Sequence, residues 1–322
     1  MRKLDPVVPF EPVRTEVIPD GIEWVHQIKW DGVRVLSYLD REGIRLFNRK
    51  KNERTAVFPE LADVRTSAAA ESFILDGEVI ALDQEGRPSF HEVMRRDGIG
   101  RPDRVKTAMK NVPVYYMIFD LIYLNGEWLN DRPLNERLDL LGGIVTPSDR
   151  IQLTPIHQDG TALFQTVKKL GLEGIVSKNT RSRYIVNGQN SDWRKIKNYK
   201  DLIAVIGGVT YRSGIVHSVL LGLYDRLNRL IYIGHCGTGK LTAAEWRAFS
   251  AFIVPLETDS MPFAIRPADS KGVRWLKPWL TAKVHYIDWR AGHSLRQPSI
   301  QAFVNQDPEK CRIKEDDHGN FA

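Results

Sequence analysis

The stretch that decides the fold is His26-Gln27-Ile28-Lys29-Trp30-Asp31-Gly32-Val33-Arg34, a polar break between two runs typical of β-strands. The flanking runs, Trp24 to Ile28 and Val33 to Leu39, are rich in aromatic and β-branched residues. Because an Asp-Gly step between such runs is a strong hairpin signal, we predict that the two strands pair through a turn. The turn would hold Lys29 at a strand end, where its amine could act as a nucleophile beside the Arg34 guanidinium. The alternative is an ordinary surface lysine before a turn.

Composition limits the class of protein. The 322-residue chain is 42% hydrophobic and 27% charged, which is typical of a soluble globular protein with room for two domains. Lys and Arg number 46 against 40 Asp and Glu, and the formal net charge of +6 favours polyanionic partners. Cys236 and Cys311 fit a reducing compartment and cannot form a zinc site alone. With no run of 18 apolar residues and no signal-peptide pattern, we expect a cytoplasmic protein that does not enter a membrane.

Two acidic motifs interrupt apolar runs further along the chain. In Asp76-Gly77-Glu78 a carboxylate stands inside a strand-like run, which is costly unless it faces a ligand, a metal or a cation. Glu173 opens a second apolar strand and suits a divalent metal, because Mg²⁺ binds one or two carboxylates together with substrate phosphates. The alternatives are a simple turn at Asp76-Gly77 and a strand-end carboxylate of no consequence at Glu173. Phe119, in the aromatic run from 114 to 123, is either a core residue or a ring on which a base can stack.

Two basic motifs accompany the acidic ones. Arg49 lies in the polar run from 48 to 52, which in isolation would more often be a solvated loop. Trp193, Lys195 and Lys197 alternate, so the three side chains should share one face of a strand. Because two lysines pointing the same way repel each other, an anion between them is a natural explanation.

Taken in order, these motifs resemble those of ATP-dependent DNA ligases, which are covalent nucleotidyltransferases, and most closely the compact ligases that act with Ku in bacterial end joining. The resemblance covers nearly the whole chain. It implies an α+β protein, with a nucleotidyltransferase domain of ATP-grasp-like antiparallel sheets and helices at 1–200, an OB-fold β-barrel at 201–311 and a polar tail at 312–322. It also implies sealing of 5′-phosphate/3′-hydroxyl breaks in duplex DNA during repair, with ATP and Mg²⁺ or Mn²⁺ as cofactors, in a nucleoid-associated monomer for which Ku is a candidate partner.

The resemblance assigns roles by motif. The residue that takes AMP is Lys29, and Asp31 is a second catalytic candidate that either orients the metal or 3′-hydroxyl or only forms the turn. Glu78 and Glu173 are the metal candidates. The ATP-binding candidates are Gln27, Ile28, Lys29, Arg34, Arg49, Glu78, Phe119, Glu173, Lys195 and Lys197. The DNA-binding candidates are Arg49, Arg212, His217, Lys240, Lys271, Arg274 and Lys277.

The pKa of Lys29 is the main chemical requirement of this assignment. A free lysine amine titrates near pH 10.4, so under about 1% of it is nucleophilic at pH 7. We therefore expect burial and the neighbouring cations Arg34, Lys195 and Lys197 to lower the pKa of Lys29.

Two rival functions share some of these features. An RNA ligase or a capping guanylyltransferase would have the same lysine and fold, although Trp275-Leu276-Lys277-Pro278 looks more like a DNA ligase. A catalytically silent DNA-end-binding protein would need only the basic surfaces. The sequence leaves open the preference for DNA or RNA strands, the metal, the oligomeric state and any Ku contact.

The chain departs from the family near its end. Ligases of this kind commonly end in an Arg-x-Asp-Lys element, whereas residues 303–311 contain Asp307 and Lys310 with no arginine before them. Arg296, Lys310 and Arg312 are the candidates for the missing cation.

Overall fold

The computed structural model describes residues 3–237, 239–268, 270–289 and 294–314, and the chain divides into two compact units, one ending at Asn198 and the other beginning at Tyr199. The helices are Val64–Ser67 (α1), Phe90–Asp97 (α2), Pro102–Asn111 (α3), Leu134–Ile144 (α4), Gly160–Lys169 (α5) and Ala243–Phe252 (α6), with 3-10 turns at Pro59–Asp63, Val254–Leu256 and Pro308–Lys310. The strands of the first unit are Glu11–Arg14 (β1), Trp24–Ile28 (β2), Val33–Asp40 (β3), Gly43–Asn48 (β4), Phe73–Ala81 (β5), Val114–Leu124 (β6), Glu127–Trp128 (β7), Ile151–Leu153 (β8), Gly174–Asn179 (β9) and Gln189–Lys197 (β10). The strands of the second unit are Lys200–Arg212 (β11), Ile215–Tyr224 (β12), Leu230–Cys236 (β13), Glu257–Thr258 (β14), Arg274–Tyr286 (β15) and Ser299–Val304 (β16).

The first unit is built on two mainly antiparallel sheets. The smaller has the strand order β1-β10-β9-β2, and the larger has the order β4-β3-β5-β6-β7 with β8 beside β6. One core includes Phe10, Tyr184 and Trp193 from the side of the smaller sheet and Leu36 and Ile74 from the larger. The neighbours of Leu36 and Ile74 along their strands, Val35 and Leu75, belong to a second core, so the larger sheet is buried on both faces.

The predicted hairpin at Asp31-Gly32 is wrong. The strands β2 and β3 do form where expected, but β2 pairs with β9 in the smaller sheet and β3 pairs with β4 and β5 in the larger. Gly32 is required by a close approach, since a Cβ atom there would lie 2.0 Å from the Val79 carbonyl oxygen. The Asp-Gly step is thus a crossing between sheets, and it carries Lys29 between them.

Strands β1 and β5 run through segments that contain turn-forming residues. The proline-rich beginning of the chain contains strand β1, which pairs in parallel with β10. Asp76-Gly77 is an interior step of β5, and the alternative of a turn is wrong.

The second unit is a small barrel around one hydrophobic core. Its strands follow the order β13-β12-β11-β15-β14, with β16 on β15. The Lys240 amide donates to the Ile300 carbonyl of β16 at 2.9 Å, which joins the chain after β13 to the far edge of the sheet. Helix α6 begins at a capping box, where the side chains of Thr242 and Glu245 each accept a hydrogen bond from the other's backbone N–H. Arg312 and Ile313 bond to this unit at Tyr224, whereas residues 315–322 of the predicted tail lie outside the described residues.

Among the described residues, none of the helices combines the length and the apolar character needed to cross a membrane.

Candidate active site

Lys29 lies directly after β2, where both its backbone and its side chain meet the start of β9. The Lys29 amide donates to the Gly174 carbonyl at 2.9 Å, and its ammonium Nζ lies 2.6 Å from Glu173 Oε2. The Lys29 side chain is 22% exposed and the Glu173 side chain 3%. The two residues are 144 positions apart in sequence, so the folding of the smaller sheet is what creates this pair.

The charge state of Lys29 differs from the sequence-based expectation. Burial acts to lower the pKa of its amine, but Glu173, Glu78 and Asp31 together outweigh burial, and the pKa is raised. The expected lowering by neighbouring cations is therefore wrong for the protein in this state. The charge of Arg34 is paired with another carboxylate, since its guanidinium donates two hydrogen bonds of 3.0 and 2.6 Å to Asp76.

Glu78 is a buried carboxylate within the electrostatic reach of Lys29. It lies on β5 opposite Arg34, and burial, reinforced by Glu173 and Asp31, raises its pKa to about 8 against the pull of Lys29 and Arg34. No described residue donates a hydrogen bond to it. A carboxylate held in this way gains stability when a cation approaches.

Lys195 and Lys197 lie two residues apart on β10, as predicted, but their nearest carboxylates differ: Lys197 pairs with Glu173, whereas the carboxylate that acts most strongly on the pKa of Lys195 is Glu11. The Lys197 ammonium is 3.4 Å from Glu173 Oε1, so the two oxygens of Glu173 each face one ammonium. Burial and the neighbouring Lys29 ammonium lower the pKa of both Lys195 and Lys197. The ammonium groups of Lys29 and Lys197 on Glu173, with Lys195 on the same strand as Lys197, leave positive charge for a polyphosphate.

Among the described residues, no group of three or more His, Cys, Asp or Glu side chains is arranged to hold a metal ion. Glu173 is nevertheless among the charges that raise the pKa of Glu78, so the two carboxyl groups lie in one small region. Two oxygen donors completed by phosphate oxygens suit Mg²⁺ or Mn²⁺, so the donor set fits a metal that binds together with the nucleotide.

Gln27 lies on the same side of β2 as Lys29. Its Nε2 donates to the Thr154 carbonyl at 3.2 Å, while its Oε1 is buried and has no hydrogen-bond partner. A buried amide oxygen without a donor is costly and is suited to receive one from a ligand. Ile28 points to the other side and packs on the core beneath α5, so only its backbone is available to a nucleotide.

Phe119 is half-buried on β6, and two cations lie against its ring. Lys178 Nζ is 4.4 Å from the ring centroid and 3.9 Å from that of Trp193, and the Arg34 guanidinium carbon is 5.3 Å from the Phe119 centroid. Lys178 also donates to the Phe119 carbonyl at 3.2 Å. The ring is therefore held firmly, and its exposed part is what a base would cover.

The residues that sequence reasoning missed form a buried polar network behind this ring. The Tyr184 hydroxyl donates to Asp76 at 2.6 Å, beside the Arg34 pair, and Arg137 holds Asp120 through two bonds of 2.8 and 2.9 Å. Asp76 belongs to the Asp76-Gly77-Glu78 motif, so its carboxylate could have been proposed from the sequence. No sequence signal marks Tyr184 or Arg137, because their partners lie on other elements, 108 and 17 positions away along the chain.

Lys178 offers a test of this network through stability. It is 2% exposed, and burial, opposed by Asp120 and Asp76, lowers the pKa of its amine to about 7. In the unfolded chain the same amine titrates near pH 10.4. Between pH 7 and 10 the unfolded chain therefore binds one more proton than the folded protein, so the free energy of unfolding rises with pH. We expect Lys178→Met to be more stable than the parent at pH 7, with an advantage that shrinks by about 1 kcal/mol per pH unit up to pH 10.

Urea unfolding of both proteins at pH 7, 8 and 9 measures this difference. Lys3→Met, at an exposed lysine paired with Glu42, is the matched control and should show no such trend. A stability difference that does not change with pH would mean that Lys178 is charged throughout this range.

Arg49 lies at the rim of the site and is 60% exposed. Glu11 of β1 is 3.4 Å from Arg49 and 3.7 Å from Arg34, so one carboxylate bridges two guanidinium groups. Glu11 was not predicted, since nothing in the sequence shows that β1 joins the smaller sheet. A phosphate could replace its carboxylate between the two arginines.

The predicted DNA-contacting cations of the second unit are all exposed. Arg212 ends β11, and His217 lies near the start of β12, after the turn. Gly237, three residues before Lys240, lies against the backbone of His217, since a Cβ atom there would be 2.1 Å from the His217 carbonyl oxygen. Arg274 opens β15 opposite Val209 near the same end of β11. The strand register therefore brings five of the six cations to one end of this barrel: Arg212, His217, Lys240, Lys271 and Arg274. Lys277 lies further along β15.

The three candidates for the missing cation differ in their surroundings. Arg312 is bound to the Asn228 side chain at 2.6 Å and to the Asp225 carbonyl at 3.1 Å, so it serves the barrel's own structure. Arg296 pairs through its backbone with Asp288. Lys310 lies exposed in a 3-10 turn after Asp307.

Comparison with known families agrees with this geometry. Residues 14–197 match the family model described as "ATP dependent DNA ligase domain", which is more than half of the chain, and residues 212–306 match "ATP dependent DNA ligase C terminal region". This chain belongs to the ATP-dependent DNA ligases. The predicted family and the predicted α+β fold class are thereby confirmed.

The relatives of this ligase include much longer proteins. It is 33% identical over 283 residues to "Multifunctional non-homologous end joining DNA repair protein LigD" of Mycobacterium tuberculosis, an overlap of 86% of this chain and 35% of that protein. It is 32% identical over 302 residues to the LigD protein of Pseudomonas aeruginosa, covering 91% of this chain and 35% of that one. The ligase thus spans about a third of the length of these relatives.

Among solved structures, "mycobacterial DNA ligase D complexed with ATP and MES" matches with a TM-score of 0.53 and 28% identity, covering 98% of this ligase and 100% of that chain. A Lig E DNA ligase, at 15% identity and a TM-score of 0.59 over 91% of this chain and 99% of that one, shares the fold.

Proposed function

We propose that this chain seals 5′-phosphate/3′-hydroxyl breaks in duplex DNA with ATP, through a lysyl-AMP intermediate on Lys29. The observation that carries the proposal is the contact of Lys29 with Glu173, whose other oxygen faces Lys197. An amine nucleophile inside a cluster of cations and one carboxylate is what attack on a polyphosphate requires.

In the first step the Lys29 amine attacks the α-phosphorus of ATP, so that a nitrogen–phosphorus bond forms and pyrophosphate leaves. The amine must first lose its proton, and separating Lys29 from Glu173 removes the interaction that raises its pKa. Lys195 and Lys197 offset the charge that develops on the leaving pyrophosphate.

Glu78 and Glu173 are the residues that would hold a divalent cation. Such a cation would compete with the Lys29 ammonium for Glu173 and neutralise phosphate charge. Asp31, which raises the pKa of both Lys29 and Glu78, adds a third carboxyl group to this region.

The later steps move AMP onto DNA. An oxygen of the 5′-phosphate attacks the phosphorus of lysyl-AMP, the nitrogen–phosphorus bond breaks, and Lys29 regains its proton. The 3′-hydroxyl then attacks the 5′-phosphorus and AMP leaves. Arg49 is placed to hold the 5′-phosphate, because it is exposed and its present partner Glu11 also binds Arg34.

Gln27 supports ATP over GTP as the nucleotide. Its unpartnered Oε1 can accept a hydrogen bond from the 6-amino group of adenine, where guanine carries an acceptor. We expect Gln27→Leu to raise the KM for ATP about 10-fold, the typical effect of losing one buried hydrogen bond. Its discrimination against GTP should also weaken.

Initial rates of label transfer from ATP and from GTP measure both effects. The matched control is Gln152→Leu, at a glutamine whose side chain bonds to the Ser148 carbonyl. An unchanged ratio of ATP to GTP use in Gln27→Leu would show that this amide does not read the base.

DNA contact is assigned to the second unit as well as to Arg49. The cations gathered at one end of its barrel suit phosphates, and binding should weaken steeply with salt. We take the nucleotidyltransferase domain as 1–200 and the OB-fold domain from 201 onward. From the LigD relatives we further propose a role in non-homologous end joining, and from the family resemblance Ku as a partner of a monomeric ligase.

The test is incubation of the protein with labelled ATP or GTP and Mg²⁺ or Mn²⁺, followed by denaturation and by sealing of a nicked duplex. Label from ATP that survives denaturation, together with a sealed DNA strand, is the expected result. Label from GTP alone would indicate a capping enzyme, exclusive sealing of single-stranded RNA would indicate an RNA ligase, and DNA binding without label would indicate an end-binding protein.

A further inference from the structure

Strand β15 carries a large bulge opposite β11. Leu280 pairs with Ile206 and Trp275 pairs with Gly208, so the four residues from Leu276 to Trp279 stand opposite one residue, Gly207. A bulge of this kind releases side chains from the alternating pattern of the strand and redirects them.

The two tryptophans that flank the bulge have opposite environments. Trp275 is 8% exposed and packs on Phe263, whereas Trp279 is 62% exposed. Leu276, inside the bulge, is fully buried and pairs with Glu257 of β14, which anchors the bulge to the barrel. Trp279 is therefore held outward by a fixed backbone and does not belong to the core.

Lys277 gives this exposed ring a cationic neighbour. Its ammonium lies 5.1 Å from the Trp279 ring centroid, and both side chains are exposed. The nearest carboxylate by strand pairing, Glu257, is engaged by the Tyr211 hydroxyl at 2.8 Å. The bulge thus presents a flat aromatic face and a positive charge together.

This surface is separate from the one that OB-folds generally use. OB-folds bind oligonucleotides on their second and third strands, here β12 and β13, and on two loops, whereas the bulge lies on β15, which follows α6 and β14 in the chain. An aromatic ring beside a cation is the combination that binds single-stranded nucleic acid, because the ring stacks on a base and the cation meets the backbone.

We infer that Trp279 stacks on an unpaired base of the DNA substrate while Lys277 contacts the adjoining phosphate. The inference rests on the proposed function and adds a substrate class, namely breaks flanked by single-stranded nucleotides. An intact duplex keeps its bases stacked inside, so it offers no base face to this ring. The contact therefore favours gapped or overhanging DNA over continuous duplex.

The experiment compares the affinities of an intact duplex, a nicked duplex and a duplex with a short single-stranded gap, by fluorescence anisotropy without ATP. We expect Trp279→Ala to weaken binding of the gapped DNA about 10-fold and that of intact duplex less than about twofold, as expected for loss of one base–aromatic stack. Trp279→Phe, which keeps a ring, should retain most of the preference. Lys277→Gln should instead reduce the slope of log affinity against log salt by about 1 on gapped DNA.

Trp128→Ala is the matched control, since Trp128 is 43% exposed in the first unit and packs on Tyr123. Equal weakening of all three DNAs by Trp279→Ala, or no weakening of the gapped DNA, would overturn the inference. So would self-association of the parent in sedimentation velocity that Trp279→Ala abolishes, because the bulge would then be a contact between copies of the chain. Because these affinities are measured without ATP, their failure is distinguishable from a failure of the wild-type protein to take label from ATP.

Discussion

Lys29→Ala should take no detectable label from ATP and should seal no ordinary nick. The reason is chemical, because the nitrogen–phosphorus bond of the intermediate is made by this amine and no other group at the site replaces it. The loss should exceed about 10⁴-fold, as for the removal of a covalent nucleophile. The fold should be retained, since the Lys29 side chain belongs to no hydrophobic cluster among the described residues.

The measurement is gel detection of labelled protein, with nick sealing assayed in parallel. Lys3→Ala is the matched control, because Lys3 also forms an ion pair, with Glu42 at 3.0 Å, but on the exposed surface. A nick already carrying 5′-AMP bypasses the attack on ATP, and Lys29→Ala should retain part of its sealing there. Undiminished labelling of Lys29→Ala would place the nucleophile elsewhere.

Glu173→Gln should reduce labelling by about 100-fold or more, the usual cost of losing one charged group that positions the reacting atoms. The substitution keeps the shape of the side chain but removes the charge that faces Lys29 and Lys197. It should also lower the pKa of Lys29, because Glu173 is the largest of the contributions that raise it. The residual rate should therefore reach its plateau at a lower pH than in the parent.

Rates of labelling from pH 6 to 10 separate these two effects, and Glu42→Gln is the matched surface control. DNA binding at low salt should persist in Glu173→Gln, since it depends on phosphate contacts. Faster labelling than the parent at neutral pH would contradict the proposal, because it would show that Glu173 only restrains the lysine.

Much of the secondary structure could be predicted because its signals are local. The aromatic and β-branched runs around Lys29 indicate strands, and Thr242 with Glu245 indicates the start of a helix, since strand propensity and capping depend on adjacent residues. The partners of those strands could not be predicted. The Asp-Gly step is a strong local signal for a hairpin, yet β2 pairs with the distant strand β9 and β3 pairs with β5.

The candidate site shows the same division. The motif residues could be proposed one by one from their chemistry and from the family resemblance. The direction of the Lys29 pKa shift could not, because it depends on how close Glu173, Glu78 and Asp31 come in space. The commitment of Arg34 to Asp76 likewise follows only from the pairing of β3 with β5.

The position of Lys29 between two sheets also determines when, during synthesis, the proposed nucleophile acquires its neighbours. During synthesis Lys29 emerges 144 residues before Glu173, and the larger sheet that carries Glu78 can close before the smaller sheet is complete. Until β9 and β10 arrive, the lysine has neither its carboxylate partner nor the neighbouring lysines of β10. If Lys29 is the nucleophile as proposed, we expect the nascent chain to take no label from ATP until β9 and β10 have been made.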